Sequence, residues 1–197
     1  MGMKSIKDIY KIGKGPSSSH TMGPFKAVRH YLENHPDCHH LHVTLYGSLA
    51  ATGKGHLTDA AIVEAFDKGD VTIEWQPQTV LQVHPNGMKV SSHDEDGTSC
   101  DKWTYYSIGG GDIVCVECPI ECKESSNIYE LTTLRDIKYW CINTGKTYWE
   151  YVLEREGKDS GIWEHLELVW KVMKEAVESG LEQEGVLPGP LSLRRKA

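Results

Sequence analysis

The chain runs to 197 residues, with 21 Lys and Arg against 28 Asp and Glu, a formal net charge of −7 and 39% hydrophobic residues. That length suits one domain of ordinary size with a helical annex, and it buries a core without a disulfide scaffold. An acidic chain is a poor partner for nucleic acid or an anionic membrane, since both draw basic patches. No apolar run approaches the ~20 residues of a membrane span, and Met1 to Asp8 lacks a signal-peptide core. The expectation is a cytoplasmic chain that meets small molecules or proteins, its six cysteines reduced.

Residues 12–24, IGKGPSSSHTMGP, read as a Gly/Pro/Ser loop. A helix follows, with Phe25, Val28 and Leu32 on one face, Ser19 or Thr21 as its cap, Pro24 in its first turn and Pro36 as its stop. His42 to Leu45 alternates as a strand and runs into Tyr46-Gly47-Ser48. A second Gly-rich loop, Thr52 to His56, precedes a helix over Thr58 to Phe66. Strand patterns then dominate: Val71 to Trp75, Thr79 to His84, Met88 to Ser92, Lys102 to Ile108 and Ile113 to Val116. Pro85-Asn86-Gly87, Asp96-Gly97 and Gly109-Gly110-Gly111 punctuate them.

Beyond Ser125 the period is helical, over Leu131 to Cys141, Thr147 to Arg155 and Trp163 to Leu181. The predicted fold is α+β, a mixed sheet with helices, plus a C-terminal helical extension. The expected domains are an α/β domain over 1–122, the helical extension over 123–184 and a linker over 185–197.

The first loop sets four hydroxyls and an imidazole (Ser17, Ser18, Ser19, His20, Thr21) directly before a helix, where unpaired N–H groups and the helix dipole favour carboxylate or phosphate. The same residues also suit an ordinary N-cap. Thr52-Gly-Lys-Gly-His56 resembles half of a phosphate-binding loop without its full spacing. His56, between Gly-rich backbone and a helix start, is a base candidate because imidazole titrates near neutrality, though a lone histidine here is more often a surface or capping residue. His84-Pro-Asn-Gly-Met88 alone is a tight turn. The five histidines at 30, 35, 39, 40 and 42 read as a solvated loop rather than a metal site, since no second ligand pair has helical i, i+4 spacing.

Cys115, Cys118 and Cys122 have C-x2-C-x3-C spacing, which invites an iron–sulfur reading. Against it, the strand at Ile113 to Val116, if extended, points Cys115 and Cys118 to opposite faces. No fourth ligand stands nearby, and Glu117 and Glu121 disfavour thiolate. The expectation is three adventitious reduced thiols.

Taken together, Ile12-Gly-Lys-Gly-Pro-Ser-Ser-Ser-His-Thr-Met-Gly-Pro24, Leu45-Tyr-Gly-Ser-Leu-Ala50, Thr52-Gly-Lys-Gly-His56 with Thr58-Asp59, His84-Pro-Asn-Gly-Met88 and Ser107-Ile-Gly-Gly-Gly111 resemble, in order, the N-terminal β domain of iron–sulfur-dependent L-serine dehydratases. The likeness extends to Glu184-Gly-Val-Leu-Pro-Gly-Pro190 and Arg194-Arg-Lys-Ala197, similar to the family's passage into its α domain. Cys115, Cys118 and Cys122 are not part of the family's pattern.

The resemblance implies a fold like the allosteric substrate-binding domain of some phosphoglycerate dehydrogenases. It implies deamination of L-serine to pyruvate and ammonia, with a [4Fe–4S] cluster ligated by an α domain, on the same chain or a separate subunit, that this sequence lacks. One iron would act on the serine hydroxyl while a base removes the Cα proton. It implies His56 as the preferred general base or acid, with His20 as the second catalytic histidine. His20, Ser17, Ser18, Ser19 and Thr21 would receive the substrate carboxylate and position the serine, and Asn86 with His84 would line the far wall. No metal ligand is expected on this chain, and a homo-oligomer is. The competing reading is a non-catalytic, serine-sensing module regulating an attached enzyme. A pyridoxal-phosphate lyase built on Lys54 is disfavoured, since Lys54 lacks the accompanying large cofactor domain.

Overall fold

The computed structural model describes residues 2–67, 69–93, 101–120, 127–157, 160–187 and 192–195. The chain divides into two compact units: Gly13–Ile120 with Gly185–Arg195, and Met1–Ile12 with Glu121–Glu184 and Lys196–Ala197.

The first unit is an α+β layer structure, as its mixture of strand and helix periods predicts. Its helices are α1 (Gly23–Asn34), α2 (Gly47–Thr52) and α3 (Thr58–Ala65). Its strands are β1 (His40–Tyr46), β2 (Asp70–Gln76), β3 (Gly87–His93), β4 (Trp103–Gly109) and β5 (Asp112–Cys115). They form one mixed sheet in the order β2-β1-β3-β4-β5. Only β1 and β2 run parallel, and the crossover this requires is supplied by α2 and α3. The other pairs are antiparallel.

Alternation within HLHVTLY sends Leu41, Val43 and Leu45 to full burial on one face of β1. Register continues that face through Leu45↔Met88 and Met88↔Tyr105. Ala27, Val28 and Tyr31 of α1 and Ile62 and Ala65 of α3 close over it. A two-residue ribbon, β6 (Gly185–Val186) with β7 (Arg194–Arg195), pairs part of the expected linker with the basic tail.

Three expectations are corrected. Thr79 to His84, read as a strand, is irregular, with Val80 and Val83 largely exposed. Both edges of β1 are already taken, by β2 and β3, and this segment stays outside the sheet. Its carbonyls serve a helix start instead: the Gly47 N–H donates to Thr79 O (2.8 Å) and the Ser48 N–H to Pro85 O (3.0 Å). That start belongs to α2, a helix absent from the sequence reading. The histidines from 30 to 42 are not one solvated loop. His30 in α1 bonds Tyr105 Oη (3.0 Å), His35 stacks on Tyr31 (4.0 Å between centroids), and His40 and His42 lie in β1. The Asp96-Gly97 turn, Cys100 and Cys122 fall outside the described residues.

The second unit is helical, with α4 (Leu134–Thr144), α5 (Tyr148–Glu156) and α6 (Ile162–Glu182). Thr133 caps α4, and a Thr147–Glu150 capping box starts α5. The N-terminal residues join this unit through the buried carboxylate of Glu156. It accepts from Ser5 Oγ (2.7 Å), the Ile6 N–H (2.8 Å) and Tyr129 Oη (2.6 Å). No helix among the described residues is long and apolar enough to cross a membrane.

Candidate functional site

All five glycine-bearing blocks of the sequence meet at one end of the α/β unit. The entry to α1 is built by Ser17, which is extended and accepts the His20 N–H on its Oγ (3.2 Å). Ser17, not Ser19 or Thr21, is therefore the cap. The intervening residues Ser18–Met22 form a π turn, a wide winding often found at functional sites. Its Thr21 and Met22 N–H groups return to Ser17 O (3.0 and 3.3 Å). That leaves the Ser18 and Ser19 amides at the positive end of the helix. Ser18 is exposed and Ser19 half-buried.

The turn is lashed to the second Gly-rich loop twice. Thr58 Oγ1 donates to His20 O (2.6 Å), and Thr21 Oγ1 donates to His56 O (2.8 Å). These reciprocal bonds set the two imidazoles 4.7 Å apart, tilted by 34°. Gly53–His56 is a short 3-10 turn, and the next residue, Leu57, takes the left-handed region at φ 55°. That conformation costs a non-glycine residue about 1–3 kcal/mol and persists only where its surroundings impose it.

Hydrogen bonding distinguishes the two rings. His56 Nδ1 lies 2.9 Å from Thr52 O, and a carbonyl only accepts, so Nδ1 carries a proton and, in the neutral ring, Nε2 carries the lone pair. His56 is half-buried. His20 is only 8% exposed and is held at both nitrogens, by Ser19 Oγ at Nδ1 (3.0 Å) and by Ser48 O and Oγ at Nε2 (3.3 and 3.2 Å). Burial first, then the neighbouring charge of His56, lowers the His20 pKa from 6.5, with the Ser48 carbonyl opposing. His20 is thus the fixed ring with the depressed pKa, and His56 is the more accessible of the two.

The remaining blocks support this pair. Gly47 has φ 49°, and a Cβ there would lie 2.6 Å from Pro85 O, so only glycine lets the His84–Gly87 turn approach α2. His84 Nδ1 accepts the Asn86 N–H (3.1 Å), Asn86 Nδ2 donates to Ser107 O (3.4 Å) and the Ser107 N–H donates to Asn86 O (3.0 Å). Ser107 in turn abuts Gly23, and Lys26 Nζ donates to Gly111 O (2.8 Å).

Three contributors escaped sequence reasoning as site residues: Ser48, Thr58 and Ser107. Each is a hydroxyl beside a glycine-bearing block, which is the signal that could have found them. Ser107 Oγ is buried and, among the described residues, has no hydrogen-bond partner. Among those residues, no three His, Cys, Asp or Glu side chains converge as metal ligands.

Comparison with known proteins follows the same blocks. Residues 5–72 and 64–117 match the family described as serine dehydratase beta chain. The chain is 33% identical to an L-serine dehydratase of Haemophilus influenzae, over 99% of this chain and 53% of that protein. It is 32% identical to L-serine dehydratase 2 of Escherichia coli, over 99% and 53% respectively. An L-serine dehydratase of Streptomyces coelicolor is also 32% identical, over 98% of this chain and 53% of that protein. The chain spans about half the length of the curated relatives it matches.

Proposed function

The chain belongs to the serine dehydratase beta-chain family, and from that premise we propose that it supplies the carboxylate-binding turn and the acid–base imidazoles of a lyase that converts L-serine to pyruvate and ammonia. The observation that carries this reading is the His20–His56 pair at the entry to α1, one ring buried and held at both nitrogens, the other half-buried with its Nδ1 on Thr52 O.

The substrate carboxylate rests on the Ser18 and Ser19 amides and the Ser17 to Ser19 hydroxyls, where the helix dipole favours an anion. His56 Nε2 removes the Cα proton. His20 holds the π turn against Ser48 and keeps a second positive charge away from His56. Thr21, whose hydroxyl is committed to His56 O, acts as a positioning residue. His84 and Asn86 fix the far wall through Pro85 and Ser107.

In this proposal the other half of the enzyme is an α portion carrying a [4Fe–4S] cluster. Cys115 is a core side chain at the end of β5, and Cys122 lies outside the described residues. The assembled enzyme is cytoplasmic and homo-oligomeric.

The test is anaerobic reconstitution with the corresponding α portion of a relative, followed by a pyruvate assay. Serine-dependent pyruvate from the reconstituted pair and none from the chain alone is the expected result. Serine binding by the chain with no pyruvate from an otherwise competent pair would favour a sensing module instead.

A further inference from the structure

The end of β5 carries a feature that stands apart from the dehydratase reading. A strand continued from Cys115 would carry residue 118 about 10 Å away at ~3.3 Å per residue. A disulfide tolerates a Cα separation of only about 4.4–6.8 Å. The strand does not continue. The Val116 N–H makes a last sheet bond to Thr104 O (3.0 Å), the backbone bends over residues 116–118, and Pro119 has no N–H to resume the ladder. The bend turns the Cys118 N–H onto Cys115 Sγ at 3.4 Å. The expectation of opposite faces is therefore overturned: Cys118 packs against the same apolar cluster that contains Cys115.

We propose that Cys115 and Cys118 are a redox modification site, closing to a reversible C-x-x-C disulfide when the protein meets a low-molecular-weight disulfide such as oxidised glutathione. Three observations assign the roles. Cys118 is half-buried and Cys115 only 2% exposed, so an external disulfide reaches Cys118 first. Burial raises the Cys115 thiol pKa, which keeps it unreactive towards outside oxidants. Both sulfurs also act on the one buried Tyr105 hydroxyl, whose pKa is raised chiefly by burial and then by Cys115 and Cys118.

The chemistry balances. The Cys118 thiolate attacks the small disulfide, forming a mixed disulfide and releasing one thiol. Cys115 Sγ then attacks the Cys118 sulfur, the second small thiol leaves, and the Cys115 proton passes towards Glu117 Oε2, to which that thiol already points (3.9 Å). Two protein thiols lose two electrons and two protons, and the small disulfide becomes two thiols.

The experiment incubates the full chain with oxidised glutathione, alkylates the remaining thiols and digests with a protease that cuts after glutamate. Cleavage after Glu117 and Glu121 separates all three cysteines. The expected product is the peptide of residues 96–117, alkylated at Cys100, joined through Cys115 to residues 118–121, lighter by two hydrogens and parted by dithiothreitol. It persists in Cys122→Ser and is lost in Cys118→Ser, a half-buried position chosen because Cys115 substitutions risk the core. Alkylation of both Cys115 and Cys118, a glutathione adduct that stays on Cys118, or a Cys118–Cys122 link would each overturn the proposal.

Discussion

The His20 and His56 rings stand 4.7 Å apart, and each is fixed by a threonine hydroxyl from the other's loop: Thr58 on His20 O, Thr21 on His56 O. Two imidazoles so close do not protonate independently, because the first positive charge raises the cost of the second. In the proposed reading the pair divides labour, a locked ring of depressed pKa beside the base.

That division has a signature in stability. Burial, and secondarily His56, hold the His20 pKa below 6.5 in the folded chain. On acidification the unfolded chain binds a proton that the folded chain refuses, so the unfolding free energy falls as pH drops below 6.5 and the stabilising difference is complete above it. Urea unfolding on both sides of that pH should show this slope, and His20→Asn should flatten it. An unchanged slope in His20→Asn would assign the acid sensitivity elsewhere.

Ser107 and Gly23 form a steric lock between β4 and the start of α1. A Cβ on Gly23 would overlap Ser107 Oγ and lie 2.8 Å from Ser107 Cβ. Gly23→Ala should destabilise by about 1–3 kcal/mol, the usual cost of overpacking. Gly23→Ala with Ser107→Gly should recover most of that loss, a coupling that a double-mutant cycle measures. Ser107→Ala alone should be neutral or stabilising, since it removes a buried hydroxyl without a partner. Additive losses in the double variant would remove the lock.

Much of this arrangement is legible in the sequence because local rules and tertiary contacts agree there. Leu41, Val43 and Leu45 alternate as a strand and are buried as one, and Pro24 and Pro36 bracket α1 as their missing donors require. Where the partner decides, local pattern fails. Thr79 to His84 carries Val80, Leu81 and Val83 and reads as a strand, yet both edges of β1 are taken and the segment stays outside the sheet. The short helix α2 has no period long enough to detect. Ser17 outcompetes Ser19 and Thr21 as the cap because the π turn widens the entry by a residue, which no cap preference foretells. The meeting of His20 with His56 rests on two long-range threonine bonds, so the sequence names the residues but not their separation.

On α6, Trp163, Trp170, Met173, Val177 and Leu181 are each at least half exposed along one stripe, while Ile162 and Val169 face inward. An apolar stripe of this length on the surface marks an association site. The chain alone should self-associate in light scattering, and Trp170→Glu should return it to a monomer. A wild-type chain that stays monomeric and binds no apolar dye would contradict this.

The central claim, that His56 is the base, is tested most directly by the kinetics of the reconstituted enzyme. His56→Ala should lower kcat by on the order of 10²–10⁴-fold, the contribution of a positioned general base, with a much smaller change in KM. Ser18→Ala should instead chiefly raise KM, because its contact serves ground-state binding. A His56→Ala enzyme that keeps near-normal kcat while His20→Ala loses it would contradict the assignment and transfer the role to His20.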